Sequence, residues 1–196
     1  MSLPPADPTR RLHHRRHLDV QVFARDDGLW EVDASLIDQR SQPVPLASGL
    51  RPAGQPIHEM VLRLVVDARF RIVDAGSETR WMPYDGICDQ HGDAYRRLIG
   101  LNLARGFRKA VTERLDGTLG CTHLTELAKM LPTAVIQAFA GVVIDTRGDN
   151  GSEPPFQIDR CHALRSDGEA VRLHYPRWYR GATATAGTPP PTEDRP

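Results

Sequence analysis

Alternating apolar and polar residues predict β-strands in the first third of the chain. Segments 18–22 (Leu-Asp-Val-Gln-Val) and 29–34 (Leu-Trp-Glu-Val-Asp-Ala) flank Asp26-Asp27-Gly28, a composition typical of a hairpin turn. A second hairpin is predicted from residues 60–66, which return as residues 70–73 after a short Asp-Ala-Arg turn. We therefore expect an antiparallel sheet of at least four strands.

After Cys88 the apolar residues recur every three or four positions, which predicts helices. The first helix should begin with Asp93 as its N-cap and run through residues 95–115, about six turns. The second should begin near Thr122 and stop near residues 146–151, and Pro132 should kink or split it. Both helices present an apolar stripe that needs a partner surface.

The last part of the chain predicts a third hairpin. Residues 156–164 and 170–175 resemble paired strands around Ser166-Asp167-Gly168. The expected fold class is α+β, with helices covering one face of an antiparallel sheet. Residues 12–181 are expected to form a single domain. Residues 1–11 and 182–196, which are rich in Pro and charge, are expected to be disordered tails.

Composition and charge restrict the classes of partner. Lys plus Arg and Asp plus Glu both total 25, so no overall basic field favours nucleic acid or an anionic membrane surface. The chain has neither a signal-like apolar run near its start nor roughly 18 unbroken apolar residues, so we expect a cytoplasmic protein that does not enter membranes. The expected partner is a small-molecule substrate or another protein. Three cysteines in such a chain indicate reduced thiols or metal ligands.

Two cysteines and two histidines are the candidate metal ligands, because each lies at the boundary of a predicted element. His58 opens a strand, Cys88 precedes the first helix, and Cys121 and His123 open the second. Two thiolates and two imidazoles are the ligand set of a tetrahedral zinc site, and they are also compatible with iron or an iron-sulfur cluster. The alternative is that the cysteines pack as small apolar residues and the histidines form local hydrogen bonds.

Two functions are consistent with such a site. In an enzyme, one ligand position would open to water for metal-assisted hydrolysis or acyl transfer, with Glu59 or Glu126 as the base. In a binding module, four protein ligands would close the site around zinc or an iron-sulfur cluster. A third possibility is a thiol nucleophile, with Cys121 attacking, His123 as its base and Glu126 orienting that base.

Other Cys and His residues are weaker candidates for metal ligands. Cys88 and His91, with Cys121 and His123, imitate the two halves of a Rieske centre in reversed order, which makes His91 a reserve ligand. Cys161-His162 lies in a predicted strand, where adjacent side chains point to opposite faces and cannot easily share a metal. The basic cluster at residues 10–17 is interpreted as a solvated edge before the first strand.

Several short motifs resemble a bacterial family that is classified only as a domain of unknown function. The resemblance covers about residues 12–146 and implies no activity. Its motifs are Gly54-Gln55-Pro56-Ile57-His58-Glu59-Met60, Met82-Pro83-Tyr84-Asp85-Gly86-Ile87-Cys88, Leu98-Ile99-Gly100-Leu101, Gly106-Phe107 and Gly120-Cys121-Thr122-His123-Leu124-Thr125-Glu126-Leu127.

A fainter resemblance is to iron-sulfur scaffold proteins of the NifU and IscU kind. His58, Cys88 and Cys121 resemble that family's three cysteine positions, and His123 would be an added ligand. The first position holds histidine in place of cysteine, and Gly120 stands where the family has a histidine. The resemblance implies a NifU-like α+β core, here extended by an N-terminal and a C-terminal β-hairpin. A fixed set of two histidines and two cysteines suits a site that retains its metal.

Overall fold

The structure is a computed structural model that describes residues 2–91, 93–148 and 151–181. It divides into two compact units, the first ending at Ala138 and the second beginning at Phe139. The tail predicted at 182–196 lies outside the described residues, and residues 2–11 are exposed and form no helix or strand. Within the described residues, no helix is both long enough and apolar enough to cross a membrane.

The first unit contains six strands, β1 His14–Ala24, β2 Trp30–Arg40, β3 Val44–Leu46, β4 Gly49–Arg51, β5 Pro56–Val66 and β6 Ile72–Trp81. Four of them form an antiparallel sheet in the order β1-β2-β5-β6, and the short strands β3 and β4 pair separately. The predicted α+β class and the hairpins β1–β2 and β5–β6 are confirmed, and the strands are longer than predicted.

One face of the sheet forms the core of this unit, because every second side chain points inward. Residues opposite one another on β1, β2 and β5 form rows across this face. The apolar rows are Val22–Val32–Leu64, Val20–Ala34–Leu62 and Leu18–Leu36–Met60. The next row consists of Arg16, Asp38 and His58, and we call it the polar row. Two residues along each of these strands, the core face therefore changes from an apolar row to a charged one.

The long helix predicted over residues 95–115 is wrong. A 3-10 turn at Ala94–Leu98 and the helix α1 at Phe107–Leu115 are separated by an irregular segment. Gly100 and Gly106 adopt left-handed conformations, with φ of 85° and 63°. The segment hydrogen-bonds its backbone to Ile72 at the start of β6, at 2.8 and 2.9 Å. Pairing with the sheet thus replaces helical bonds, although Tyr95, Leu98 and Leu103 are still buried.

The second predicted helix is present as α2, Thr122–Phe139, and it begins where expected. Pro132 lies inside it, but the helix is not split there. It ends earlier than predicted, because the backbone N–H groups of residues 142–144 all turn back to the Phe139 carbonyl oxygen at 2.8–3.1 Å. Its apolar stripe is buried, with Leu124, Leu127, Leu131 and Val135 each 0% exposed.

The second unit contains a short helix, α3 at Glu169–His174, and 3-10 turns at His162–Leu164 and Pro176–Trp178. The C-terminal hairpin predicted here is wrong. Residues 169–174 are mostly good helix formers, and Arg172 forms an ion pair with Glu169 one turn earlier. Cys161 therefore lies just before a 3-10 turn and is not part of a strand. Its side chain is exposed.

Candidate metal centre

Asp38 is the buried centre of the polar row, with 3% of its surface exposed. Arg16, directly opposite on β1, donates from Nε to Oδ1 at 2.8 Å and from Nη2 to Oδ2 at 2.9 Å. His58, directly opposite on β5, places Nδ1 3.2 Å from Oδ2. His14 adds Nε2 at 3.2 Å from Oδ1. Both oxygens of the carboxylate are therefore engaged from the two neighbouring strands.

The pairing of β2 with β5 changes register immediately beyond the polar row. Asp38 pairs with His58, but Gln39 pairs with Pro56, so one residue of β5 is left over. Irregularities of this kind bend a strand and redirect its side chains, and they are common beside functional sites. This one lies where His58 leaves the regular part of the sheet.

His123, from the first turn of α2, completes the cluster. Its Nε2 lies 3.7 Å from Oδ2 of Asp38, and its ring packs on the His58 ring with centroids 4.0 Å apart and a tilt of 34°. Donor atoms of Asp38, His58 and His123 all lie within 4.8 Å of one another. Across the described ranges 2–91, 93–148 and 151–181, no other three or more His, Cys, Asp or Glu residues meet that criterion.

The start of α2 is held in place by Tyr95. Its hydroxyl donates to the Cys121 carbonyl oxygen at 2.8 Å and accepts from the Cys121 N–H at 3.0 Å. A Cβ atom at Gly120 would lie 2.9 Å from the Leu115 carbonyl oxygen and 3.2 Å from the Tyr95 hydroxyl, so the close approach requires glycine. Burial raises the pKa of Tyr95 to about 12, and the hydroxyl keeps its proton at neutral pH.

Cys121 lies on the other side of the His123 ring from Asp38. Its Sγ is 3.9 Å from His123 Nδ1 and 3.6 Å from the Met60 sulfur, and the residue is half-buried. The two ring nitrogens of His123 thus face different partners, a carboxylate at Nε2 and a thiol at Nδ1.

The charges of the cluster are set by burial and by Arg16. Burial raises the pKa of Asp38, but the hydrogen bonds and charge of Arg16 outweigh it and lower the pKa below its ordinary value of 3.8. Burial lowers the pKa of His58, and burial together with the neighbouring His58 lowers that of His123. At neutral pH the cluster therefore holds one ionised carboxylate and two neutral imidazoles, the protonation states that metal ligands need.

Of the four ligands predicted from sequence, His58 and His123 meet at Asp38, and Cys121 lies beside His123. Cys88 is in the turns that follow β6, where its N–H donates to the Tyr84 carbonyl oxygen at 3.0 Å. It is not a member of the cluster of three close donors. The reserve ligand His91 packs edge-to-face on the Tyr95 ring at 5.5 Å.

The two predicted bases occupy different places. Glu126, one turn along α2 from His123, accepts a hydrogen bond from Nη1 of Arg16 at 2.7 Å. Arg16 therefore bridges Glu126 and Asp38. Glu59 follows His58 on β5, so its side chain points to the opposite face of the sheet, where it lies 3.5 Å from Arg80.

Sequence reasoning missed Asp38 and Arg16, although a signal was present. The alternation of β2 continues beyond its predicted end at Ala34, and it places Leu36 and then Asp38 on the inward face. A carboxylate at an inward position is informative, because acidic residues are almost never fully buried without a partner. Extending the alternation by two steps would have identified Asp38.

Comparison with known proteins identifies a family. The sequence profile of the family described as "Protein of unknown function (DUF2889)" matches residues 14–137, more than half of the chain. The chain belongs to the DUF2889 family. The match includes the polar row and His123, and it ends before the second unit. No curated protein and no solved structure matches this DUF2889 protein, and the resemblance to NifU and IscU is not supported.

Proposed function

We propose that this protein binds one zinc ion through Asp38, His58 and His123 and uses it for metal-assisted hydrolysis or acyl transfer. The observation that carries the proposal is the convergence of their three donor atoms within 4.8 Å. Two ligand atoms on a tetrahedral zinc, each about 2.0–2.1 Å from the ion, are roughly 3.3 Å apart. The separations of 3.2 and 3.7 Å from Asp38 Oδ2 are close to that spacing.

The donor set favours a catalytic over a purely structural centre. Three protein ligands with a fourth position open are typical of catalytic zinc, whereas structural zinc is closed by four. Two histidines and one carboxylate also suit non-haem iron, so iron is the alternative metal. Arg16 fits the site as an orienting residue, because Oδ2 of Asp38 accepts one hydrogen bond from Arg16 and has a second lone pair for the ion.

The surrounding residues supply the remaining chemistry. Zinc at this position would polarise a substrate carbonyl and lower the pKa of a coordinated water. Glu126 is half exposed and its Oε2 accepts from Arg16, which leaves Oε1 available to take a proton from water. We therefore assign Glu126 as the base. Glu59, on the opposite face of the sheet, provides a matched control.

The test combines zinc content with hydrolysis of a panel of 4-nitrophenyl esters. Glu126→Gln should lower kcat by at least tenfold with zinc content unchanged, since a general base typically contributes a factor of roughly 10²–10⁴. Glu59→Gln should change neither quantity. A wild-type protein without zinc, or a Glu126→Gln variant with full activity, would contradict the proposal.

The ligand set predicted from sequence gives a different spectroscopic result. Cobalt bound by Cys88 and Cys121 would show thiolate-to-metal charge transfer in the near ultraviolet, whereas cobalt bound by Asp38, His58 and His123 would not. A brown protein whose visible absorbance is bleached by reductant would instead favour the iron-sulfur binding module.

A thiol nucleophile is the second candidate, and one observation favours it. Cys121, His123 and Asp38 follow one another at 3.9 and 3.7 Å, the order of nucleophile, base and orienting acid. Asp38 here takes the orienting role that the sequence suggested for Glu126. Activity that survives removal of metal by a chelator but is lost in Cys121→Ser would favour this candidate over the zinc centre.

A further inference from the structure

A groove of about 710 Å³ runs between α1 and α2 in the first unit. Its size falls in the range of small-molecule sites. Thr122 and Glu126 line one part of it, Met130 contributes apolar surface, and Arg108 and Lys129 line the rest. Glu126 also bonds to Arg16, which holds Asp38, so the groove borders the proposed zinc centre.

The cations in and beside the groove differ in how they are paired. Lys129 donates to both oxygens of Asp116 at 2.7 and 2.9 Å, and Arg16 pairs with Glu126. Arg108 forms no ion pair with a carboxylate of the described residues. It donates instead from Nε to the Lys129 carbonyl oxygen at 3.0 Å and from Nη2 to Thr133 at 3.5 Å. These two bonds fix an uncompensated guanidinium against α2.

We propose that this groove binds small molecules carrying one carboxylate, with that carboxylate on Arg108 and an apolar segment along Met130 toward Glu126. A guanidinium recognises a planar carboxylate through two parallel hydrogen bonds. One uncompensated positive charge matches a monoanion, whereas a phosphate dianion would leave negative charge in excess. Glu126 lies about 10 Å along α2 from Thr133, which leaves room for a short chain.

This inference rests on the proposed function and specifies its substrate. The compounds hydrolysed would be acyl compounds with a free carboxylate at one end and the scissile bond near Glu126. Binding in the groove needs only Arg108 and the groove walls, so it can be measured separately from zinc. The two proposals can therefore fail independently.

The test is an NMR titration of the full chain with hexanoate, with 1-hexanol and hexyl phosphate as matched probes. Hexanoate should produce saturable shifts of the amides of residues 125–130, and 1-hexanol should bind at least tenfold more weakly. Arg108→Gln should weaken hexanoate binding at least tenfold, and Arg108→Lys should restore part of it. The control variant Arg105→Gln changes an exposed arginine outside the groove and should bind hexanoate as the wild type does.

Asp38→Asn separates the two proposals, since it should bind zinc at least tenfold more weakly but still bind hexanoate. Thermal unfolding of each variant establishes that it is folded. The groove proposal is overturned by the absence of saturable hexanoate shifts, or by Arg108→Gln and Arg108→Lys variants that are folded and bind like the wild type. If hexyl phosphate binds tenfold tighter than hexanoate, the groove recognises a phosphate better than a carboxylate, and the proposed substrate class is overturned.

Discussion

Two adjacent rows on the core face of the sheet differ in what they contribute. Leu36 and Asp38 are two residues apart on β2 and are 0% and 3% exposed. Leu36, between Leu18 and Met60, adds apolar burial, whereas Asp38 is a charge that needs partners on both sides. The apolar rows stabilise the fold by burying apolar surface, whereas the polar row buries a carboxylate that Arg16 must compensate.

The largest expected effect lies in the apolar rows. Leu62 is 0% exposed and belongs to the row Val20–Ala34–Leu62, so Leu62→Ala should lower the free energy of unfolding by about 2–5 kcal/mol through a cavity. Zinc affinity should not change, because the polar row is untouched. Urea unfolding and zinc titration measure the two quantities. A loss under about 1 kcal/mol, or weaker zinc binding, would remove the distinction between the rows.

The polar row should respond differently, because removing one partner leaves a buried charge. Arg16→Met should lower the free energy of unfolding by about 1–3 kcal/mol, with the lower end favoured by the 31% exposure of Arg16. The double variant Arg16→Met/Asp38→Leu should recover that loss, since an apolar row can replace a buried ion pair. Urea unfolding of the four proteins in the cycle gives the coupling. Additive losses would show that the pair is not coupled.

Acid should destabilise the metal-free protein in two separate steps. The pKa values of His58 and His123 are lowered by burial, so the unfolded chain takes up protons first and stability falls as the pH drops below 6.5. The pKa of Asp38 is lowered by Arg16, so its contribution is lost only as the pH falls below 3.8.

Chelator-treated protein, unfolded by urea across this pH range, provides the measurement. A His58→Gln/His123→Gln variant should lack the first step and keep the second. Stability of the metal-free wild type that is constant between pH 7 and pH 5 would contradict neutral, buried histidines.

The smallest expected effect concerns the tether of α2. Tyr95→Phe removes the hydroxyl that bonds both backbone groups of Cys121, and it should lower the free energy of unfolding by about 1 kcal/mol. Tyr84→Phe is the control, since Tyr84 is 54% exposed. Equal thermal stability of the two variants would show that Tyr95 does not hold the helix start.

Much of the sheet could be predicted because burial of one face imposes a period of two on each strand. The break in the predicted first helix at Gly100 could not be predicted, since it depends on backbone hydrogen bonds to Ile72 in a different element. The C-terminal hairpin failed for a local reason, the helix-forming run at residues 169–174. Local sequence patterns do not determine which distant segments pair.

Part of the candidate site could be predicted from the sequence. His58 and His123 were recognised by their positions at element boundaries, and they do meet. Asp38 joins them because the pairing of β2 with β5 places it opposite His58. This pairing brings together two residues that are twenty positions apart in the sequence. Cys88 satisfied the same boundary criterion but lies outside the cluster. Position at a boundary therefore identifies candidates, and register selects among them.

The most direct test of the account is a competition titration of zinc against a chromophoric chelator. We expect one zinc per chain, with a dissociation constant at least tenfold higher in Asp38→Asn. We expect no change in Cys88→Ser or in His17→Gln, since His17 is next to Arg16 but points to the other face of β1. Zinc binding that is weakened by Cys88→Ser and unaffected by Asp38→Asn would contradict it, and would return the site to the thiolate set predicted from sequence.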